Sequence, residues 1–258
     1  MRMLKVVTSP RLLAYMFLER LRFTVRSPRF IVATSPALAA VVKETYPHCT
    51  VSVVAPGVLI PIGQRNRQDA RRILGVPEHG ALLAFVANDY QKKGLATLLE
   101  ALALMPRDVI LAVVGNPSYI EKFKQQATAL GLSARVHFLG YLSDISTLFE
   151  AADALAHPTT EDTFAMVVLE AMAYGVPVVV SDAKHCGISG LLTNGVNAMI
   201  LSSNSDAGEL AATLTQILTE PVLYRQIADG ARLFAAKRTW AAIAHQQELM
   251  YQQIAAAA

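Results

Sequence analysis

The stretch "EDTFAMVVLEAMAYGVPVVVS", Glu161 to Ser181, decides the reading of this chain. Its end, Val178 to Ser181, is a short β-branched run opened by Pro177 and preceded by Gly175, so it reads as a strand following a helix stop. The segment Thr163 to Tyr174 carries Ala, Met, Val and Leu at helical spacing and reads as a buried helix. The preceding "HPTTEDTF" is then a crossover at the carboxyl end of a strand, Ala154 to His157, which is where open α/β sheets bind ligands. Asp162 is placed as the N-cap, with the N–H groups of Thr163, Phe164, Ala165 and Met166 facing an anion. Glu170 follows eight residues later, about 80° further round at 3.6 residues per turn. A carboxylate on so apolar a helix needs a polar cleft or a partner, and a diol such as a ribose suits it, since a carboxylate accepts two hydroxyl donors. The same two acids also fit a plain cap and an exposed or salt-bridged position, and the stretch alone does not choose.

Outward from this unit, β-branched runs alternate with helical stretches. The strands are Phe30 to Thr34, Val51 to Val54, Ala81 to Ala87, Val109 to Gly115, Val136 to Leu139, Ala154 to His157, Val178 to Ser181 and Ala198 to Leu201. The helices are Pro36 to Tyr46, Gln68 to Leu74, Leu95 to Leu104, Ile120 to Leu130, Asp144 to Ala152, Thr163 to Tyr174 and Ile188 to Thr193, with helix only after Asp206. This is the pattern of an α/β fold, a Rossmann-like parallel sheet with helices on both faces. "APGVLIPIGQRNR", rich in Pro and Gly, reads as a linker that ends near Arg67.

Composition narrows the function classes. The 258 residues are 53% hydrophobic and 17% charged, as in a soluble globular chain. No apolar run approaches the roughly 20 residues of a membrane-spanning helix. The apolar core Leu12 to Leu18 is followed by Glu19, Arg20 and Arg22 instead of a cleavage site, so a cytoplasmic chain is expected. Cys49 and Cys186 lack neighbours at metal-ligand spacing and read as buried thiols. The net charge of +3 is uneven: residues 1–30 carry seven Lys or Arg and one Glu, a net of +6, which leaves −3 for the remainder. Without a recognition motif, nucleic acid is not the expected partner. "RLLAYMFLERLRFTVR" reads as a basic amphipathic helix, either packed on protein, the reading favoured here, or lying on an anionic membrane surface. No G-x-G-x-x-G follows a strand, which disfavours a dehydrogenase.

The spacing of acid, seven residues and Glu in "DTFAMVVLEAMAYGVPVV" resembles the signature of retaining glycosyltransferases of family 4, which have the GT-B fold. "VANDYQKKGLATLLEAL" resembles that family's phosphate-binding strand, loop and helix. "VILAVVGNP", "VHFLGYLSDISTLFEAADALAHPT" and "RTWAAIAHQQELMYQQI" resemble its later units, so the resemblance runs from Ala81 to Ile254. Within the family the likeness is to bacterial enzymes of lipopolysaccharide core and other cell-surface glycans.

The resemblance implies transfer of a sugar from a nucleotide-diphosphate sugar to an acceptor hydroxyl with retention, and no metal if protein groups suffice for the leaving charge. It implies catalytic roles for Lys93, Asp162 and Glu170: the lysine on the diphosphate, the aspartate towards the donor sugar, the glutamate on the ribose. Backbone N–H groups of Phe164, Ala165, Met166 and Val167 would hold diphosphate and sugar. Gly140, Tyr141 and Leu142 would border the base. The family often carries Arg early in the lysine loop; Asn88 and Asp89 stand there instead, with Lys92 as a second positive charge. Family members usually have Glu at Asp162 and often Gly at Ala165. His157, in its strand-end "HP", reads as structural, and His185 receives no role.

The implied domain plan is a remnant of the GT-B amino-terminal domain over residues 1–58, a linker at 59–66, the nucleotide-sugar domain at 67–238 and a closing helix at 239–258. Because only about fifty residues precede the linker, a non-catalytic nucleotide-sugar-binding half or partner subunit stands as the alternative. A sugar-nucleotide epimerase is a third reading. The expected partners are the donor, a glycan or glycolipid acceptor, and a membrane surface or partner chain met through residues 1–30.

Overall fold

The computed structural model describes residues 9–24, 30–63, 65–116, 118 and 120–256. Part of the basic segment singled out above, residues 1–8 and 25–29, lies outside the described residues. The chain opens with α1 (Pro10–Thr24), β1 (Phe30–Ala33), α2 (Pro36–Thr45) and β2 (Thr50–Val53), and β1 and β2 pair in parallel as a small separate sheet. There follow α3 (Arg67–Leu74), β3 (Ala81–Ala87), α4 (Leu95–Leu104), β4 (Val109–Gly115), α5 (Ile120–Ala129), β5 (Val136–Gly140), α6 (Ser146–Ala151) and β6 (Ala154–His157). The remainder is α7 (Met166–Ala173), β7 (Val178–Val180), a 3₁₀ turn (Gly187–Leu191), β8 (Met199–Ile200), α8 (Ala207–Thr219), α9 (Pro221–Ala236) and α10 (Trp240–Ala256).

The main sheet is wholly parallel and runs β5-β4-β3-β6-β7-β8. Strand order therefore reverses between β3 and β6, where the connections leave for opposite sides and a crevice opens at the carboxyl edge. The strands are apolar apart from His137 in β5 and His157 at the end of β6, because both faces of the sheet are covered. Leu82 and Ala84 of β3 join a core with α3, α6, α7 and α9, while Leu83 and Phe85 join another with α4, α5 and α8. The two-residue period of the strand delivers neighbouring side chains to opposite cores.

A buried arginine ties α3 to this sheet. Arg71 donates to the carbonyls of Ala151 (3.2 Å), Pro77 (3.1 Å), Glu78 (3.1 Å) and Gly80 (3.0 Å) and to Asp153 Oδ2 (2.8 Å). Asp153 Oδ2 also accepts the Leu82 N–H at 2.7 Å, so the charge pair is hydrogen-bonded on both sides, as burial requires. The anchor sits where β6 begins and sets the strand whose far end carries the site.

The favoured packing of the first helix is not what the structure shows. In α1, Leu12, Leu13, Tyr15, Met16, Phe17, Leu18 and Leu21 are all exposed. The helix is held near its carboxyl end, by a Phe23–Tyr46 ring stack at 4.7 Å and by Tyr46 Oη donating to Glu19 Oε1 at 2.8 Å. The apolar residues of α1 find no covering element among the described residues. Among those residues, too, no helix is long and apolar enough to cross a membrane.

Candidate functional site at the sheet switch point

The loops after β3 and β6 meet at the reversal of strand order. Lys92 closes this meeting through its carbonyl, which accepts from Thr160 N (2.8 Å), Thr160 Oγ1 (3.0 Å) and Thr159 Oγ1 (3.2 Å). Gly94 permits the approach: at φ +82° a Cβ there would stand 2.1 Å from the Pro158 carbonyl oxygen. Lys93 is thereby delivered to Asp162, with Nζ 2.7 Å from Oδ2 and 3.0 Å from the Glu161 carbonyl. Lys92 reaches Glu161 Oε2 at 3.5 Å on the open side.

Asp162 is the hub. Its Oδ2 also meets His157 Nε2 at 3.1 Å, and its Oδ1 accepts the N–H groups of Ala165 (2.8 Å) and Phe164 (3.2 Å). Burial pushes its carboxyl pKa up, but hydrogen bonds from His157 and Lys93 and the lysine charge outweigh that and hold it far below the ordinary carboxylate value. His157, 1% exposed at the end of β6, moves the other way: burial lowers its pKa in spite of Asp162. The imidazole is thus neutral and Asp162 ionised at neutral pH.

The local chain path differs from the helix-start expectation. Asp162 is not the N-cap, and α7 begins at Met166 rather than Thr163. Residues 162–164 are drawn into extended pairing with the 3₁₀ segment: Asp162 N donates to His185 O (2.8 Å), Gly187 N to Asp162 O (2.9 Å) and Ile188 N to Phe164 O (2.9 Å). Gly187 makes this possible, since a Cβ there would lie 1.9 Å from Thr163 O. The N-cap is Ala165 at φ 73°, ψ 71°, the single non-glycine residue of positive φ among the described residues. Two of the four expected anion donors, Phe164 and Ala165, are therefore taken by Asp162. Those of Met166 and Val167 have no hydrogen-bond partner among the described residues.

Glu170 lies one turn beyond Met166 on the same face, since residues four apart share a face. It lines a cavity of about 250 Å³ with Met166, Asp144, Phe149, Tyr174 and Trp240. Burial raises its pKa, and its carboxylate makes no hydrogen bond or ion pair with another described residue. Gly140, at φ +69°, ends β5. Tyr141 is 79% exposed, while Leu142 lines a neighbouring cavity of about 240 Å³ that shares Asp144 with the Glu170 cavity. Asn88 and Lys92 line a third cavity, of about 420 Å³, with Tyr90 and Lys122. The structure thus joins Lys93, Asp162 and the start of α7 directly, sets Glu170 with Leu142 on adjoining cavities, and gives Asn88 a separate one. His157 belongs to the cluster although its sequence context reads as structural. The one signal was an ionisable side chain closing an apolar strand at a crossover. His185 pairs with Asp182 at 2.8 Å, Cys49 and Cys186 are buried free thiols, and no group of metal-binding side chains occurs among the described residues.

Strand order and the crevice at the switch point define a doubly wound α/β domain. The solved structures it superposes on include GT-B glycosyltransferases. The Anabaena protein HepE, crystallised in complex with UDP and glucose, matches with a TM-score of 0.76 and 28% identity over 86% of this chain and 62% of that one. WaaG, a glycosyltransferase of lipopolysaccharide biosynthesis, matches with a TM-score of 0.79 and 25% identity over 95% and 68%. The family model described as glycosyl transferases group 1 matches residues 66–234, and the chain belongs to that family. Among curated relatives, the D-inositol 3-phosphate glycosyltransferase of Corynebacterium diphtheriae is 33% identical over 78% of this chain and 50% of its own length. The Escherichia coli lipopolysaccharide glucosyltransferase WaaG is 31% identical over 66% and 46%. The chain spans about half the length of these curated relatives.

Proposed function

We propose that this chain binds a nucleotide-diphosphate sugar and serves in its transfer, with retention, to an acceptor hydroxyl, as a family 4 glycosyltransferase of lipopolysaccharide or other cell-surface glycan synthesis. The observation that carries the reading is the bridge from Lys93 through Asp162 to the first N–H groups of α7, since it sets a cation beside a helix start at the switch point. Both favour an incoming diphosphate. On donor binding Lys93 turns from Asp162 to the diphosphate, with Lys92 behind it, while the unpaired Met166 and Val167 N–H groups take phosphate oxygens. The leaving charge is met by groups already in place, which is electrostatic catalysis without reorganisation, and the reading calls for no metal. Glu170 accepts the ribose hydroxyls, and the cavity beyond Leu142 takes the base. Asp162 Oδ2, released by Lys93, faces the sugar. The acceptor oxygen then bonds to C1 on the face from which the diphosphate leaves, and its proton passes to the phosphate oxygen released from C1.

The complexes of HepE with UDP and with UDP-glucose support a uridine donor as the first trial. A place at the cytoplasmic membrane face is supported by the exposed apolar residues of α1 beside Arg11 and Arg22. The test is calorimetric titration of the chain with UDP, GDP and their sugar conjugates, beside Glu170→Ala. Saturable binding that disappears in the variant is expected. A folded chain that binds none of them would end the proposal.

A further inference from the structure

The His157 ring has one polar partner among the described residues. Its Nε2 lies 3.1 Å from Asp162 Oδ2, while Nδ1 is buried with no hydrogen-bond partner among the described residues. An ionised carboxylate only accepts, so the proton sits on Nε2 and the lone pair on Nδ1. A second proton would have to occupy Nδ1, where no acceptor waits. The charged groups facing the ring are Asp162 and Lys93. The cluster therefore holds one cation, one anion and one neutral donor.

We propose that His157 is a positioning residue that anchors Asp162 Oδ2 through its Nε2–H, so that the carboxylate stays across the Phe164 and Ala165 N–H groups when Lys93 leaves it for the diphosphate. This rests on the donor-site reading above. Four donors hold the Asp162 carboxylate, and two of them act on Oδ2. Once Lys93 turns away, His157 is the one side-chain donor left on that oxygen among the described residues. A lysine or arginine in its place would hold the carboxylate equally well but would compete with Lys93 for the phosphates. A neutral imidazole supplies the hydrogen bond without a charge. Its burial at the end of β6 fixes the direction of the bond, because the ring is packed in the rigid sheet rather than in the loop.

The test compares wild type with His157→Gln, which keeps an N–H near the Nε2 position, and His157→Phe, which keeps the ring and loses the donor. Nitrogen NMR of the imidazole, carbon NMR titration of Asp162 and calorimetry with UDP and GDP are read on chains shown to be folded. Expected are the Nε2–H tautomer in wild type and a diphosphate affinity about tenfold weaker in the Phe variant, the equivalent of one lost charge-assisted hydrogen bond. The Gln variant should stay within about threefold of wild type by the same reasoning. A protonated or Nδ1–H ring, wild-type affinity in the Phe variant, or equal losses in both variants would overturn the proposal. If wild type binds neither diphosphate, the donor-site reading falls, and the Asp162 titration still decides the anchor. A carboxyl pKa that rises in the Phe variant and returns with Gln supports it; one unmoved by either substitution refutes it.

Discussion

Replacing Glu170 by Gln separates stability from binding, and the two effects carry opposite signs. Glu170 sits on a helix otherwise composed of Met, Val, Leu and Ala. Burial raises its pKa with no hydrogen bond or ion pair from another described residue in compensation. A carboxyl whose folded pKa lies above its unfolded one binds protons better in the folded state, so its ionisation costs stability as pH rises through that range. Gln keeps the shape and removes the charge. At neutral pH the variant should gain about 1 kcal/mol, the low end of the cost of an unsatisfied buried polar group, because one side of Glu170 opens on its cavity. For a chain of this size that is roughly 2–4 °C in Tm. At about pH 4.5, near the unfolded carboxyl pKa, the difference should shrink towards zero. Binding should move the other way: Gln keeps one carbonyl acceptor in place of an ionised carboxylate, and the loss of about 1.5–3 kcal/mol weakens a nucleoside diphosphate roughly 10- to 100-fold. Trp240, the one tryptophan of the chain, lines the same cavity and reports unfolding by fluorescence in urea. A variant that is less stable at neutral pH, or equally shifted at both pH values, would show that Glu170 holds a structural bond. Undiminished nucleotide affinity would remove it from the donor site.

Gly94→Ala should cost at least about 1–2 kcal/mol for a left-handed residue, plus the displacement forced by Pro158 O at 2.1 Å; urea unfolding reads the cost, and weakened diphosphate titration reads the displaced Lys93. Ala165→Gly should change stability by less than about 1 kcal/mol in urea, because relief of the same left-handed strain is opposed by unfolded-state freedom of about 0.4–1 kcal/mol and a lost buried methyl worth about 0.8 kcal/mol. Melting followed against pH should show stability falling below about pH 6.5, the unfolded value for His157, whose folded pKa is lowered. A further loss should begin near pH 3.9 as Asp162, also lowered, is forced to protonate. His157→Gln should remove the first loss and leave the second.

The strands Ala81–Ala87, Val109–Gly115 and Ala154–His157 have the same bounds in sequence and structure. Each is a short apolar run closed by a turn or ionisable residue, and two-sided burial demands that pattern. Glu170 was legible in part for the converse reason: a carboxylate on an apolar helix needs a polar cleft or a partner, and of the readings its own stretch left open the structure gives it a cavity. What misled was contact between distant segments. Thr163 to Ala165 read as the first turn of a helix because nothing in their own residues signals the pairing with Cys186 to Ile188. That pairing depends on Gly187 admitting a backbone twenty-four residues away in sequence. It unwinds the expected helix start, turns Asp162 from a cap into a hub, and gives two of the four anion donors to that carboxylate.

His157 escaped for a related reason. "HP" at a strand end describes a local backbone, whereas the role of the ring depends on Asp162 folding back onto Oδ2 contacts set by Lys93, sixty-nine residues earlier in the chain. The types of residue at a switch point are therefore readable from sequence, because the topology that creates the crevice is written in local periodicity. The partition of its hydrogen bonds is not, because it is set by contacts between segments far apart in the chain. In this chain Phe164 and Ala165 serve the protein's own carboxylate, and Met166 and Val167 are left open to a ligand. Asp162 thus satisfies half of the helix start internally, which stabilises a site that would otherwise gather positive charge around Lys93 with no anion present. In the proposed donor complex one movement, the turn of Lys93, leaves the carboxylate still held by His157 and by the Phe164 and Ala165 N–H groups.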